Sequence, residues 1–370
     1  MPALLFALTS CGTSRSPIVC NPSNNATCVC GSGTQACPIS PGPEFLYANS
    51  TTGQILAFSI DHNTGALTPL PSVAGPSMSF GLAAVNNQFL YASDASIALN
   101  SQLDGFSINQ TTGALTPLAD SPFLAGIIMQ GLASPPGSSL LYGADAGAVD
   151  AFTVSTTGPP STIPGPFPSG TNLFLTVDPS GKYLFTSLDN PPGGVFAFTI
   201  DSTGALTAVP NSPFTIPGQT VANSRPFGIV DTGSFVYTAL SGTNQVAGFS
   251  IVSGTGALVP VPNSPFPAGT TPLSVVFTNG FLYANGDGTI SGYSVDSASG
   301  MLTPLSDSPF AISGGSMAAD SLGEYLYVSG AGGIQALKID SNSGNLTPVN
   351  GSPFPASPAL TMTVVQFPPP

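Results

Sequence analysis

Six aspartates and one arginine carry most of the chemistry available to this chain. Asp94, Asp145, Asp189 and Asp287 each follow a short aromatic run by a few residues, and Asp104 and Asp150 stand near the start of the next apolar run. Arg225 heads an apolar segment, Arg225-Pro226-Phe227-Gly228-Ile229-Val230. Carboxylates gathered in loops can bind a cation or a polar ligand, and a guanidinium can hold a carboxylate or phosphate through two parallel hydrogen bonds. The plainer alternatives are loop acids that face water and an arginine paired with a neighbouring aspartate. His62 is the single histidine and lies inside an Asp-x-x-Thr-Gly turn, so no second histidine is available as base for a Ser-His-Asp arrangement. Lys182 and Lys338 read as solvated or stem-packed side chains rather than nucleophiles.

The elements that must position these residues repeat. An aromatic run ends at Tyr47, Tyr91, Tyr142, Phe185, Tyr237, Tyr283 and Tyr327, giving seven copies at steps of 43 to 52 residues. That period belongs to one four-stranded propeller blade. After each aromatic strand comes a second run, such as Ile55 to Ile60, then a turn rich in Asp, Asn, Thr and Gly, then a proline-bearing run such as Ala66 to Leu70. Proline in that run points to an outer edge strand, where no ladder amide is needed. A Ser-Pro-Phe element follows in five units and leads to the next inner strand, for example Phe80 to Val85 or Leu273 to Phe277. The chain is therefore expected to be all-β, a seven-bladed β-propeller of four-stranded antiparallel blades. The first aromatic strand has no inner strand before it, and the tail Thr361 to Phe367 is an inner-type strand with no aromatic strand after it. Pairing of the two would close the ring.

In such a meander, the turns before the aromatic strands and the Asp-Gly hairpins share one face. Asp61, Asp178, Asp201, Asp231, Asp296, Asp320 and Asp340 fall there, and turn chemistry accounts for them. The six candidate aspartates fall towards the opposite face with Arg225. That makes this channel-mouth face the expected place for a small polar ligand or a protein partner.

A formal net charge of −13 with only four Lys and Arg excludes nucleic acid as a natural partner, because phosphate binding needs clustered bases. Only 6% of residues are charged against 42% hydrophobic, as suits blades buried on both faces, and 43 Gly and 39 Pro punctuate the turns. No cofactor motif occurs. Calcium would require several oxygens converging on one point.

Before the repeats, Leu8-Thr9-Ser10-Cys11-Gly12 resembles the lipobox of bacterial lipoprotein signal peptides, although the preceding apolar run is short and has no Lys or Arg before it. The resemblance implies a signal peptide over residues 1–10, a lipid on Cys11, and export to the cell envelope with membrane contact only through that anchor. Residues 11–43 read as a Cys/Ser/Pro-rich tether and residues 44–370 as the propeller. Cys20, Cys28, Cys30 and Cys37 suit two disulfides of open connectivity better than a zinc site, whose usual C-x2-C spacing is missing.

The aromatic strand, the strand ending in Asp, and Thr-Gly-Ala-Leu-Thr-Pro-Leu at residues 64–70 and 112–118 resemble the seven-bladed propeller lactonase family, with its 6-phosphogluconolactonase-like and carboxymuconate-lactonising-like members. That family implies lactone hydrolysis by histidine, glutamate and arginine around the channel. Only Arg225 matches in place, while His62, Glu44 and Glu324 lie elsewhere. The expectation is a ligand- or partner-binding or scaffold module without the usual catalytic set. The alternatives are a divergent lactonase using an aspartate to activate water, and a surface protein that assembles through its edges.

Overall fold

Each aromatic run is a strand buried on both faces, because the blades before and after it cover its alternate side chains. In a computed structural model the described residues are 18–20, 28–30, 41–95, 102–125, 130–165, 167–189, 193–219 and 224–369. Pro43–Phe367 forms one compact unit, and the N-terminal segment with Pro368–Pro370 forms another. Within that second unit Ile18–Cys20 pairs antiparallel with Cys28–Cys30. The expectations for Cys11 and Cys37 lie outside the described residues, as do those for the side chains of Cys20, Cys28 and Cys30.

The compact unit is a seven-bladed propeller of antiparallel blades, numbered here by their aromatic strands. Blade 1 runs, from the centre outward, Ala359–Gln366, Glu44–Ser50, Gln54–Ile60 and Leu67–Ala74. The closure expected from the two chain ends is present, with Glu44 opposite Gln366 and Ser50 opposite Ala359. Seven hydrophobic cores lie one between each pair of neighbouring blades. The structure adds to the expected pattern in blades 3 and 4. There Phe167–Val177 extends past its own blade, so that Phe167 to Thr171 pair with Ala146 to Val149.

The Ser-Pro-Phe element is more than a connector. Its phenylalanines Phe123, Phe214, Phe266, Phe310 and Phe354 pair beside the third strand of their blades, where the short outer strand has already ended. Its serine hydroxyls accept the amides of Gly105, Ala197, Gly248, Gly292 and Ala336, at 2.9 to 3.1 Å. All five Ser–Pro bonds are cis.

The aromatic strand also joins blade to blade. Tyr47 donates to the carbonyl of Gly113, Tyr91 to Gly158, Tyr142 to Gly204, Tyr237 to Gly300, Tyr283 to Gly344 and Tyr327 to Gly65. Each hydroxyl thereby satisfies the hairpin glycine of the following blade. Blade 4 has Phe185 at this position and no hydroxyl to offer. Tyr237→Phe should therefore cost about 1–2 kcal/mol, since the buried Gly300 carbonyl loses its partner. Phe185→Tyr, with Gly256 as the corresponding acceptor, should gain a comparable amount. Urea denaturation of the two variants checks both signs.

Candidate functional site

The inner strands enclose a central cavity of about 400 Å³. Its wall is built from Phe80, Leu82, Leu132, Phe174, Leu175, Phe227, Ile229, Leu273, Val275, Met317, Leu360 and Met362, with glycines and the hydroxyl residues Ser274, Ser316 and Thr361 between them. The rings of Phe174 and Phe227 are 5.0 Å apart and inclined at 46°. Among the described residues, no ionisable side chain lines this cavity.

The glycines let neighbouring inner strands come close. A Cβ on Gly228 would stand 2.6 Å from the Leu273 carbonyl oxygen, and one on Gly81 would stand 2.8 Å from that of Gln130. In blade 5 the Gly228 amide donates to the Leu273 carbonyl at 3.0 Å, which ties two inner strands together. The pairing register also shifts between Asn172 and Leu175 and between Pro226 and Ile229. These irregularities lie beside Phe174 and Phe227 and change which residues face the channel.

The seven residues singled out from sequence stand outside that lining. Asp94 ends the aromatic strand of blade 2, in line with Phe80: Leu82 is opposite Ala92, and the Ser93 amide donates to the Gly81 carbonyl. Asp145 is similarly placed beside Gln130, whose amide donates to the Ala144 carbonyl. Asp189 follows the aromatic strand of blade 4, and Asp287 sits in an exposed turn of blade 6. Asp94 and Asp145 thus stand one strand outward from the inner-strand residues Phe80 and Gln130.

The structure brings six of the seven together in three pairs, and Asp287 is in none of them. Asp104 and Asp150 occupy the same strand position in blades 2 and 3, opposite Ala92 and Gly143. Burial pushes Asp104 up to about 6, and the charge of Asp94 adds to the shift. Burial likewise pushes Asp150 up to about 6, with Asp145 as its charged neighbour. Asp189 is raised by burial, while the guanidinium of Arg225 opposes the rise, with Nε 4.0 Å from Oδ1. Arg225 itself is largely exposed, has a left-handed backbone (φ 43°), and offers its carbonyl to Ser241. Among the described residues, no three His, Cys, Asp or Glu are grouped as metal ligands would be.

On the hairpin face the turn acids act as turn chemistry requires. Oδ1 of Asp61, Asp201, Asp296 and Asp340 accepts the amides of Asn63, Thr203, Ser299 and Ser343 respectively, and all four carboxyls are held below their usual range, chiefly by hydrogen bonds from those turns. Asp178 accepts amides from Ser180, Lys182 and Tyr183.

One contact on this face was missed from sequence. His62 Nδ1 lies 3.4 Å from Oε2 of the buried Glu44, whose Oε1 accepts the Ser321 amide at 2.7 Å. Buried Asp320 is close by, raised by burial and by the Glu44 charge. Register could have revealed the first pair: with Phe45 opposite Ser59, Glu44 falls beside Ile60 and within two residues of His62. This group spans the ring closure on the side away from Arg225, so it joins blade 1 to blade 7 and does not line the channel.

The raised acids make stability depend on pH. Burial lifts Asp231 to about 7, and the Asp178 charge adds to this against an opposing Gly233 amide. Asp104, Asp150 and Asp231 bind protons more tightly folded than unfolded. Between pH about 4 and about 7 the folded chain therefore holds more protons, and stability falls as pH rises. The change should be about 2 kcal/mol once partial exposure is discounted, roughly 4 °C in Tm. Below pH about 4 the trend reverses, because the hairpin aspartates with lowered values become protonated. Melting curves from pH 3 to 8 should show this maximum on the acid side.

Fold and site together define a class: closed seven-bladed propellers with a central cavity lined by the inner strands. Comparison with solved structures narrows the likeness. A protein from Bacteroides uniformis, provisionally described as a 6-phosphogluconolactonase, matches with a TM-score of 0.75 at 19% identity, over 88% of this chain and 100% of that one. A similarly described protein from Bacteroides fragilis gives 0.72 at 17% identity over 89% of this chain and 100% of that one. The periplasmic gluconolactonase of Pseudomonas aeruginosa gives 0.69 at 18%, again over 89% of this chain and 100% of that one. At these identities the likeness shows the fold. No family model and no curated protein sequence matches the chain.

Proposed function

We propose that this chain is a lactonase-fold binding module whose ligand enters the central channel from the face bearing Arg225, and that it has given up the hydrolytic chemistry associated with similar propellers. The observation that carries this reading is the channel wall, whose described residues include no acid or base and no nucleophile beyond the hydroxyls of Ser274, Ser316 and Thr361. General acid–base catalysis needs such a group within hydrogen-bond reach of the reacting atom. His62 and Glu44 sit on the hairpin face, and the loop aspartates stand outside the wall. Export as a lipid-anchored envelope protein belongs to the same proposal and rests on Leu8 to Gly12 together with the N-terminal cysteines.

A divergent lactonase is the second reading, favoured by Arg225 beside the partly buried Asp189, a cation next to a carboxylate whose basicity is raised. Hydrolysis of a panel of sugar and aromatic lactones by the full chain separates the two. The binding module should leave every lactone at its uncatalysed rate. Turnover well above background that falls in Arg225→Ala and in Asp145→Asn/Asp189→Asn would instead establish the lactonase.

A further inference from the structure

We infer that the channel takes a neutral, largely apolar molecule of two or three rings and rejects sugar acids, sugar phosphates and other anions. The inference rests on the reading of the channel as a binding site and names what that site recognises. Phe80, Phe174, Phe227, Leu273, Met317 and Leu360 supply the wall of a cavity of about 400 Å³. That volume lies within the usual range for small-molecule pockets and well above the space that holds a single benzene.

Part of the hydrogen-bonding capacity in and around the wall is committed to the fold itself. Ser316 Oγ accepts the Met362 amide, Ser79 Oγ donates to the Gly81 carbonyl, Ser93 Oγ accepts the Gly81 amide, and Ser329 Oγ accepts the Ser316 amide. A polyhydroxylated sugar lactone entering here would exchange water for few partners and leave hydroxyls unpaired, which costs free energy for each one.

Charge argues the same way. An anion would meet no counter-charge among the described residues of the wall. On approach it would pass the carboxylates of Asp94, Asp145, Asp189 and Asp287, with the Arg225 guanidinium already beside Asp189. An apolar ring system needs neither partner nor counter-ion, and the inclined Phe174 and Phe227 rings present it with aromatic faces and edges.

The test uses two fluorescent probes with the same ring body: neutral N-phenylnaphthylamine and its anionic counterpart anilinonaphthalene sulfonate, each titrated into the full chain. The neutral probe should saturate at one per chain and bind at least tenfold more tightly than the sulfonate. Leu273→Glu places a carboxylate at the rim, where the native side chain is 40% exposed, and should weaken the neutral probe at least tenfold while far-UV circular dichroism stays unchanged. Leu124→Glu alters an apolar residue that is 76% exposed and outside the cavity wall, and it should leave binding intact. Equal affinity for the two probes, or loss in Leu124→Glu alone, overturns the inference. Displacement of the neutral probe by glucono-lactone at similar concentration overturns the ligand class but keeps the site. Failure of both probes and of the lactone to bind removes the site itself.

Discussion

Gly113→Ala should cost about 2–4 kcal/mol, whereas Gly137→Ala should cost about 1 kcal/mol, although both glycines have left-handed backbones. At Gly137, φ is +64° and a Cβ would meet nothing within 4 Å, so only the conformational penalty applies. At Gly113, φ is +70° and a Cβ would lie 2.3 Å from the Phe45 ring, so that ring must move as well. The Gly113 carbonyl also receives the Tyr47 hydroxyl, so a shift in the hairpin strains the hydrogen bond between blades 1 and 2. Chemical denaturation of the two variants measures the difference. Equal losses would mean that the aromatic–glycine contact does not hold the blades.

Deleting the chain from Ala359 onward should have a still larger effect. That strand pairs with Glu44–Ser50 along its whole length and buries Met362, Val365 and Phe367 between blades. Three such side chains represent roughly 5–8 kcal/mol of burial, comparable with the whole stability of an ordinary domain. The deletion also exposes the edge of a central strand. The truncated chain should lose its cooperative melting transition and self-associate, as read by calorimetry and sedimentation. A Tm within a few degrees of the intact chain would contradict the closure described here.

Much of the architecture was legible because one unit is written seven times. The aromatic run, the Asp-Gly hairpin and the proline in the outer strand each state a local requirement, and together they fixed blade count, strand order and closure. The turn aspartates were legible for the same reason, since their bonds run to amides two or three residues away.

The site was harder to read. Side-chain parity along a strand is reliable only while register holds, and the inner strands of blades 4 and 5 shift register beside Phe174 and Phe227. Loop acids therefore stood out in the sequence, while the apolar residues that form the cavity wall looked like ordinary core. Contacts between distant segments left no local mark either. The pairing of His62 with Glu44 depends on the hairpin register of blade 1, and the approach of Asp189 to Arg225 depends on how blade 5 sits beside blade 4.

The measurement that bears most directly on the central claim is a crystal structure of the full chain soaked with N-phenylnaphthylamine. The rings should lie within the channel, against Phe80, Phe174 and Phe227, with no atom of the ligand paired to a charged side chain. Clear density for the probe on the hairpin face or along an outer strand, with the channel filled only by water, would contradict the account.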